Sequence, residues 1–397
     1  MWELLRLTEQ QTARIVFCGD TKQIQSVEAC DALRVLEAES QLKSVRLTTV
    51  ERQKGNAYRE AIQELRNDPS SGFEKLEVMG AVREVGWTHR PQLIAAAYDE
   101  CRSNGQKVLV VCPTHDEIDR VTEAIRKGRK QAGELGGGVP VTRDVSLNWT
   151  TAQKSNMRNY RVGQLLGFHK QVNGIRRNET VEVTRIEDNR LVVRTAQGET
   201  RALTRKQAKA FNVLERGTIE VAAGDKLLLT GNRRESQFRA TNGEIVTVAC
   251  IDQKGQIHLE NGRILPVSFK HFAHGYAVTA HRSQGKSVDA VIISGDGMQK
   301  ELFYVAASRG RDRVLIVTSD KERLRECIGQ STARKSASEL SRQRPGLHQG
   351  MHRGRALTRQ LIKRGTRVEA LLEEQSVAQV IRNRPKVERS YDKSTSR

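Results

Sequence analysis

The sequence is poor in aromatic residues and in long apolar runs, and both shortages narrow the class of protein. Phe, Trp and Tyr make up only 4% of the 397 residues, so aromatic surfaces that could stack on a ligand are scarce. No apolar run approaches the length of a transmembrane helix. Residues 1 to 15 are charged and lack the apolar centre of a signal peptide. These absences predict a cytoplasmic protein without a membrane partner.

Cysteine is also sparse, and its spacing excludes a zinc site or a disulfide framework. No two cysteines form a Cys-x-x-Cys pair, and their scatter fits a reducing compartment. The six residues are Cys18, Cys30, Cys101, Cys112, Cys250 and Cys327. The chain needs no such cross-links, because its length suffices for two to three domains with ordinary cores.

Basic residues outnumber acidic ones by 67 to 47, which gives a net charge of +20. Such a balance favours a polyanionic partner, with DNA or RNA as the first expectation and a merely basic surface as the alternative. Segment 331–397 holds sixteen Lys and Arg against six Asp and Glu, which is half of the net charge. We expect this basic tail to be helical in part, within 357–381, and otherwise without a fixed fold.

Residues 1–66 have the pattern of an incomplete α/β unit. The apolar runs Arg14–Cys18 and Val45–Thr49 predict buried parallel strands, and helical periodicity recurs near 29–40 and over 57–66. These elements are too few for a complete doubly wound sheet. We therefore expect part of a doubly wound α/β unit that is truncated at its start.

Residues 82–160 and 276–330 have the pattern of a second α/β unit, split by an insertion. Its run Lys107–Cys112 predicts a buried strand, and the helix that follows has Asp116 as its expected N-cap. The intervening residues 161–275 contain short alternating runs separated by turn signals, which favours small SH3-like β-barrels. Further strands are predicted at 276–280, 290–294 and 313–318, and further helices at 301–308 and 321–328.

Several segments combine residue types that suit phosphate chemistry. The first is Gly-Asp-Thr-Lys-Gln-Ile-Gln-Ser-Val, which starts at Gly19 directly after a predicted strand. Ligands of open α/β sheets bind beyond the carboxyl ends of strands. There the Asp20 carboxylate could organise a metal or water, and the Gln23 amide could sense a phosphate oxygen. The alternative is an ordinary loop in which Asp20 caps the next helix.

The second segment is Leu-Thr-Thr-Val-Glu-Arg-Gln, over residues 47–53. A guanidinium near a transferring phosphoryl group stabilises charge in the transition state. Arg52 is the candidate, and the alternative for a single arginine is a surface ion pair. A third segment, Cys-Pro-Thr-His-Asp from Cys112, offers Thr114 and His115 as contacts to nucleic acid.

The fourth segment runs from Tyr276 to Asp289 and ends in a deceptive Gly-Lys-Ser. A phosphate-binding loop requires glycine five residues before Gly285, but Ala280 stands there. A helix should also follow, whereas Val288 begins a strand pattern. Hydroxyls, amides and an imidazole in this segment suit phosphates without choosing a base. The fifth segment, Tyr-Val-Ala-Ala-Ser-Arg-Gly-Arg from Tyr304, contains Arg309 on a helical pattern.

These segments, in this order, resemble motifs III to VI of superfamily I helicases. Gly-Asp-x-x-Gln-x-x-x-Val resembles motif III, with Ser26 where many members have proline. Arg52 falls in a segment similar to motif IV, Gln284 in one similar to motif V, and Arg309 in one similar to motif VI. A β-rich insertion before motif V resembles RecD-like helicases, and most closely the helicase half of TraI/TrwC-type (MobF) conjugative relaxases.

The resemblance implies two RecA-like domains, of which 1–66 would be the remnant of the first, truncated at its start, and 82–160 with 276–330 the second. ATP and Mg²⁺ would be cofactors of the complete family protein, and single-stranded DNA would be its partner. The resemblance also implies roles for residues of this chain. Gln23, Arg52 and Arg309 would be catalytic. Nucleotide-binding residues would be Gly19, Asp20, Gln23, Gln284, Gly285 and Arg309. DNA-binding residues would be Thr114, His115, Thr279, His281, Ser283 and Lys286.

Two parts of the family pattern are missing from the 397 residues. They contain no Gly-x-x-x-x-Gly-Lys-Ser/Thr, and no Asp-Glu strand precedes the segment at Gly19. The histidine cluster and tyrosines of a relaxase are missing too. We therefore expect a fragment, a truncated reading frame, or a subunit that a second chain completes, with little ATPase activity alone. The alternative is a non-catalytic nucleic-acid-binding module or a degraded remnant.

Overall fold

The computed structural model describes most of the chain in five stretches, which are residues 2–24, 32–40, 45, 51–234 and 238–333. Residues 2–19 and 32–40 belong to a smaller unit, and residues 20–24, 45 and 51–332 belong to a larger one. The smaller unit contains two short helices, and the larger one contains every described sheet.

Ten α-helices occur in the described stretches, and two 3₁₀ turns accompany them at Met157–Asn159 and Arg205–Lys209. In chain order the helices are α1 (Trp2–Gln10), α2 (Ala32–Glu39), α3 (Asn56–Asn67), α4 (Pro69–Val78), α5 (Arg90–Ser103), α6 (His115–Gln131), α7 (Thr151–Ser155), α8 (Ala280–Ser283), α9 (Lys300–Ala307) and α10 (Lys321–Gly329).

The same stretches contain eighteen strands. In chain order they are β1 (Val82–Glu84), β2 (Val108–Cys112), β3 (Val139–Ser146), β4 (Leu165–Phe168), β5 (Thr180–Glu187), β6 (Arg190–Arg194), β7 (Thr200–Thr204), β8 (Phe211–Val221), β9 (Lys226–Leu229), β10 (Arg233–Arg234), β11 (Arg239–Ala240), β12 (Ile245–Ile251), β13 (Ile257–Leu259), β14 (Ile264–Leu265), β15 (Phe272–His274), β16 (Ala277–Thr279), β17 (Val288–Ser294) and β18 (Gly310–Thr318).

The larger unit is built on a five-stranded, fully parallel sheet with the order β1-β18-β17-β2-β16. Its central strand β17 is buried from Ala290 to Ser294, as expected for a strand covered on both faces. Val291 and Ile293 contribute to a core that contains residues of α3, α4, α9 and α10. Ile292 contributes to a second core, with residues of α5 and α6. This alternation follows from the two-residue period of a strand, and it gives the mixed α/β class.

Parallel ladders give this sheet one carboxyl edge and one amino edge, which carry different predicted site residues. At the carboxyl edge, Thr279 at the end of β16 is paired with Cys112 at the end of β2. At the amino edge, Val288 at the start of β17 is paired with Gly310 at the start of β18. The segment between Thr279 and Val288 therefore crosses from one edge to the other.

Between α6 and β16 the chain forms two larger antiparallel sheets and a separate β10-β11 pair. Their strand orders are β3-β8-β4-β5-β6-β7 and β14-β13-β12-β9-β15. Each has its own core, which includes Leu166 and Phe211 in the first and Leu229 and Phe272 in the second. No ladder joins the end strands of either sheet within the described strands. The SH3-like barrel therefore stays a prediction.

The antiparallel region begins at β3, upstream of residue 161 where we predicted the insertion to start. All eight residues of β3 pair with β8, from Val139 opposite Val221 to Ser146 opposite Leu214. Pro140 has no N–H to donate, and the strand accommodates it because β3 lies at the edge of its sheet.

A buried polar network attaches α6 to the antiparallel region. The Asp225 carboxylate is fully buried and accepts hydrogen bonds from Arg126 at 2.9 and 3.0 Å and from the Tyr276 hydroxyl at 2.8 Å. Burial alone would raise the pKa of Asp225, but hydrogen bonds from Arg126, Tyr276 and the Ala222 N–H hold that pKa below its ordinary value. Arg129 donates to the Tyr276 hydroxyl at 2.7 Å. The network thus fixes the end of α6 against the residue that precedes β16.

Two predictions near strand and helix starts are wrong. Residues 14–18 form no strand, and Val16 is 86% exposed. A parallel strand takes its hydrogen bonds and its burial from neighbouring strands, and no described strand pairs with this run. The N-cap of α6 is Thr114 rather than Asp116, because the Thr114 hydroxyl accepts from the Glu117 N–H at 3.2 Å. Most of the strand predicted at 45–49, and the basic tail from residue 334 on, lie outside the described residues.

Candidate functional site

A cleft of about 660 Å³ lies in the larger unit at the amino edge of the parallel sheet. The residues before α3 line one side, and the starts of β17 and β18 with the end of α9 line the other. Polar residues dominate the lining and include Gln23, Arg52, Gln53, Arg66, Ser287 and Ser308.

Arg52 links the two sides of this cleft. Its Nε donates to the Ser287 hydroxyl at 2.9 Å, and its Nη1 donates to the Ser308 carbonyl at 2.7 Å. Neither acceptor carries a charge, and no carboxylate in the described part of the chain pairs with Arg52. A guanidinium in a cleft without a counter-ion can bind an anion, since charge-assisted hydrogen bonds to phosphate are strong.

Gln53 holds Arg52 in place, although the sequence analysis gave it no role. Its side chain is 1% exposed, and its Nε2 donates to the carbonyls of Gly310 at 2.7 Å and Ser308 at 3.2 Å. The sequence did contain a signal for Gln53, because this residue directly follows Arg52 at the end of the segment 47–53 that resembles motif IV. The amide therefore ties the segment before α3 to the turn between α9 and β18.

Arg309 lies on that same turn and points into the protein. It is 2% exposed, its Nε donates to the Val305 carbonyl at 2.7 Å, and its Nη2 donates to the Ser308 hydroxyl at 2.9 Å. Burial, together with the nearby charge of Arg52, lowers the pKa of Arg309 to about 10. No carboxylate among the described residues pairs with it. Two arginines without counter-ions thus flank Ser308.

Gln23 also lines the cleft, and Asp20 orients it. Gln23 Nε2 donates to Asp20 Oδ2 at 3.1 Å, and Arg66 donates to Asp20 Oδ1 at 3.1 Å. The Lys22 backbone N–H also donates to Asp20 Oδ1, at 3.0 Å, so three groups engage this carboxylate. Gly19 belongs to the smaller unit, where a Cβ at its position would come within 2.4 Å of a Leu33 side-chain carbon. A side chain at this position would therefore require Leu33 to shift.

The residues predicted to bind DNA lie at or beyond the carboxyl edge of the sheet, except for Lys286. Thr114, His115 and His281 are exposed there. Thr279 is half-buried, and its hydroxyl caps α8 by accepting from the Arg282 N–H at 3.4 Å. Ser283 is fully buried and donates to the Ala280 carbonyl at 2.7 Å. The structure thus brings Thr114, His115, Thr279 and His281 to one edge and turns Ser283 inward.

Residues 284–286 connect this edge to the cleft. Gln284 and Gly285 are exposed, and Gly285 has φ +81°, a conformation that glycine adopts without strain. Lys286 Nζ donates to the Gly243 carbonyl at 3.2 Å, in the antiparallel region. Burial, reinforced by the charge of Arg282, lowers the pKa of Lys286. Lys286 is therefore half-buried beside a turn of the insertion.

Two searches of the described ranges found no further site. They contain no group of three or more His, Cys, Asp or Glu side chains that could hold a metal ion. None of their helices is both long and apolar enough to cross a membrane.

Family models match both halves of the motif series. An AAA domain model matches residues 1–86, and a UvrD-like helicase C-terminal domain model matches residues 274–317. The second match contains Arg309 and the segment that crosses the sheet. With the motif order and the parallel sheet, these matches support a superfamily I helicase region.

Two curated relatives are conjugation proteins, which narrows the class of helicase that this chain resembles. The chain is 24% identical over 263 residues to the multifunctional conjugation protein TraI of Escherichia coli (strain K12), a match that covers 60% of this chain and 14% of that protein. It is 24% identical over 301 residues to the conjugal transfer protein TraA of Rhizobium radiobacter, covering 76% of this chain and 21% of that one. The chain therefore spans a small part of the length of the curated relatives it matches. These matches support a helicase region of the TraI type.

Among solved structures, the Pif1 helicase from Bacteroides in complex with ADP-AlF3 and ssDNA matches with a TM-score of 0.32 and 15% identity, covering 82% of this chain and 65% of that chain.

Proposed function

We propose that this helicase region contributes one wall of an ATP site at the amino edge of its parallel sheet and a track for single-stranded DNA at the carboxyl edge. One observation carries the nucleotide part. Arg52 and Arg309, neither with a carboxylate partner in the described part of the chain, flank Ser308 at the cleft. A polyphosphate would supply the missing negative charge.

In this proposal Arg52 and Arg309 contact the terminal phosphate and stabilise the charge that develops during phosphoryl transfer. Arg309 is turned inward, so it must exchange its hydrogen bonds to Val305 and Ser308 for phosphate oxygens. Gln23, positioned by Asp20, would sense that phosphate. Gln284 and Gly285 would approach the nucleotide from the crossing segment.

Bound Mg²⁺·ATP would supply the reactive phosphoryl group and a divalent charge. The described lining offers guanidinium, ammonium, amide and hydroxyl donors, which suit phosphate oxygens, and one carboxylate, Glu51. The 397 residues contain no Gly-x-x-x-x-Gly-Lys-Ser/Thr, and phosphoryl transfer in this class depends on such a cradle. We therefore propose that the chain alone hydrolyses little ATP, and that a segment or chain with the cradle completes the site.

The DNA part rests on the exposed side chains of Thr114, His115 and His281, with Thr279 beside them. They offer hydroxyl and imidazole donors that suit a phosphodiester backbone and read no particular base. Lys286 and the buried Ser283 would contribute indirectly, because their hydrogen bonds position the segment between Thr279 and Val288. The net charge of +20 favours the same ligand.

Two titrations on one purified sample test the proposal. Pyrophosphate or Mg²⁺·ATP should raise the thermal unfolding midpoint of the wild type, and an Arg52→Ala variant should lose this response. Arg194→Ala is the matched control, because Arg194 pairs with Glu182 on the antiparallel sheet, away from the cleft. Fluorescence anisotropy with oligo(dT) tests the DNA track. Binding of DNA without any response to polyphosphate would favour a non-catalytic nucleic-acid-binding module instead.

A further inference from the structure

An exposed tryptophan stands out in a chain with few aromatic residues. Trp87 is 61% exposed in the loop between β1 and α5. Trp149, by contrast, packs against Tyr160 with 5.1 Å between the ring centroids. An indole left in water forgoes the favourable free energy of burial, and its exposed ring is available to a ligand.

A positively charged side chain lies next to the Trp87 ring. The Arg120 guanidinium, on α6, lies 5.7 Å from the centroid of the Trp87 ring. Arg120 pairs with no carboxylate in the described part of the chain. An exposed indole beside an unpaired guanidinium offers a surface for a flat base and a charge for a phosphate, which are the two groups that repeat along a nucleic-acid strand.

The base of the loop is rigid. Arg90, 6% exposed, donates to Glu117 at 2.9 and 3.0 Å and also pairs with Asp296. Ser294, at the end of β17, donates to the same Glu117 carboxylate at 2.8 Å. These bonds join the starts of α5 and α6 to the end of β17. Trp87 is therefore presented from a fixed support at the carboxyl edge.

The support places Trp87 at the edge where Thr114 and His115 are exposed. Both helices begin there, and Glu117, the partner of Arg90, lies two residues after His115. We infer that Trp87 and Arg120 form a base-stacking step for single-stranded nucleic acid, with a base against the indole and Arg120 against an adjacent phosphate. The inference rests on the DNA part of the proposed function and adds a stacking contact to it.

Tryptophan fluorescence tests the contact directly in the full chain. The sequence has three tryptophans, so Trp2→Phe with Trp149→Phe leaves Trp87 as the only indole. Oligo(dT) should quench its emission, whereas an abasic oligomer with the same number of phosphates should bind through charge and quench little. Equal quenching by both would overturn the stacking contact.

The affinity for oligo(dT) and its salt dependence distinguish stacking by Trp87 from phosphate binding by Arg120. Trp87→Ala should weaken oligo(dT) binding by about 5- to 150-fold, the range found for removal of one stacking aromatic. Trp87→Phe should retain most of the affinity, and Trp149→Phe is the matched control. Arg120→Ala should lower the slope of log affinity against log salt by about 0.7, the value of one phosphate contact on a single strand. Trp87→Ala should leave that slope unchanged.

The outcomes distinguish the inference from the function on which it rests. If the wild type does not bind oligo(dT), both fail. If the wild type binds and Trp87→Ala binds equally well, only the stacking step fails. A change from dimer to monomer in Trp87→Ala with unchanged DNA affinity, measured by sedimentation, would assign the ring to a second copy of the chain and overturn the inference.

Discussion

Arg52 Nη1 lies 2.7 Å from the carbonyl oxygen of Ser308, although the two residues are 256 positions apart in the chain. Gln53 reinforces the link by donating to the carbonyls of Ser308 and Gly310. Arg309 lies between these two acceptors. Both arginines therefore depend on the turn at Ser308 for their hydrogen bonds. An anion that draws one of them toward the cleft would change the hydrogen bonds that hold the other.

Arg309→Leu should stabilise the free chain. Burial depresses the pKa of Arg309 to about 10, so the folded state disfavours its charge. This penalty is fully present below pH 10 and is relieved as the pH rises from there toward the pKa of an exposed arginine. Removing the charge should raise the free energy of unfolding at pH 7 by about 1 kcal/mol or more, after loss of its hydrogen bonds. Urea unfolding at pH 7 measures it.

The comparison variant for Arg309 is Arg313→Leu. Arg313 pairs with Glu100 at 2.7 Å and is partly exposed, so its replacement should be neutral or slightly destabilising. A fall in stability of Arg309→Leu as large as that of a core truncation would show that the guanidinium is a structural group without strain.

Asp225→Asn should destabilise the chain by about 3 kcal/mol, because it leaves the half-buried Arg126 guanidinium with only the more exposed Glu220 as a counter-ion. The depressed pKa of Asp225 also gives a pH dependence. Its stabilising contribution is present above the unfolded pKa of about 4 and is lost as the pH falls through the lower folded value. Unfolding curves at pH 7 and pH 3 should therefore differ less for Asp225→Asn than for the wild type.

Glu182→Gln serves as the reference for Asp225. Glu182 is an exposed partner of Arg194 at 3.2 Å, and its loss should change stability by no more than about 0.5 kcal/mol. Equal changes in the free energy of unfolding for the two substitutions would mean that the buried network around Tyr276 stabilises the chain no more than an exposed ion pair does.

Thr114→Ala should cost about 1 kcal/mol, because the Thr114 hydroxyl accepts from the Glu117 N–H at the start of α6. Thr114→Ser keeps the acceptor and should recover most of the loss. Asp116→Ala removes only a favourable charge in the first turn, so it should cost less. Thermal unfolding of the three variants ranks them, and a larger loss in Asp116→Ala would restore the cap expected from the sequence.

The purified chain should hydrolyse ATP at the background rate, with or without oligo(dT), because its 397 residues contain no phosphate-cradle sequence. A coupled assay of phosphate release measures it. Robust hydrolysis that disappears in Arg309→Ala would refute the expectation and would reveal a phosphate site of another kind.

Strong local patterns were enough to predict several elements of the larger unit. The parallel strands β2, β17 and β18 and the helices α6, α9 and α10 form where periodicity placed them. Strand β8 was missed because charges at Glu215 and Arg216 interrupt its alternation, and β3 was missed because Pro140 and nearby glycines favour a loop. The strand predicted at 14–18 failed because a parallel strand depends on neighbours that a local pattern cannot supply.

The candidate sites show the same limit. Arg52 and Arg309 could be proposed from their motifs, but their shared contact with Ser308 joins distant segments. The pairing of Arg66 with Asp20 and the approach of Arg120 to Trp87 are likewise tertiary. The spacing of residues within one segment does not predict contacts between distant segments, so these contacts are seen only in the folded chain.

The antiparallel region occupies the connection between α6 and β16, two elements that pack against each other and against β2. Arg129 near the end of α6 already contacts Tyr276 just before β16, so the region enters and leaves at one place. Loop-closure entropy grows only slowly with length, by about 0.6 kcal/mol for each doubling. Evolution could therefore enlarge, trade or delete this module at modest thermodynamic cost, while the parallel sheet beneath kept its register.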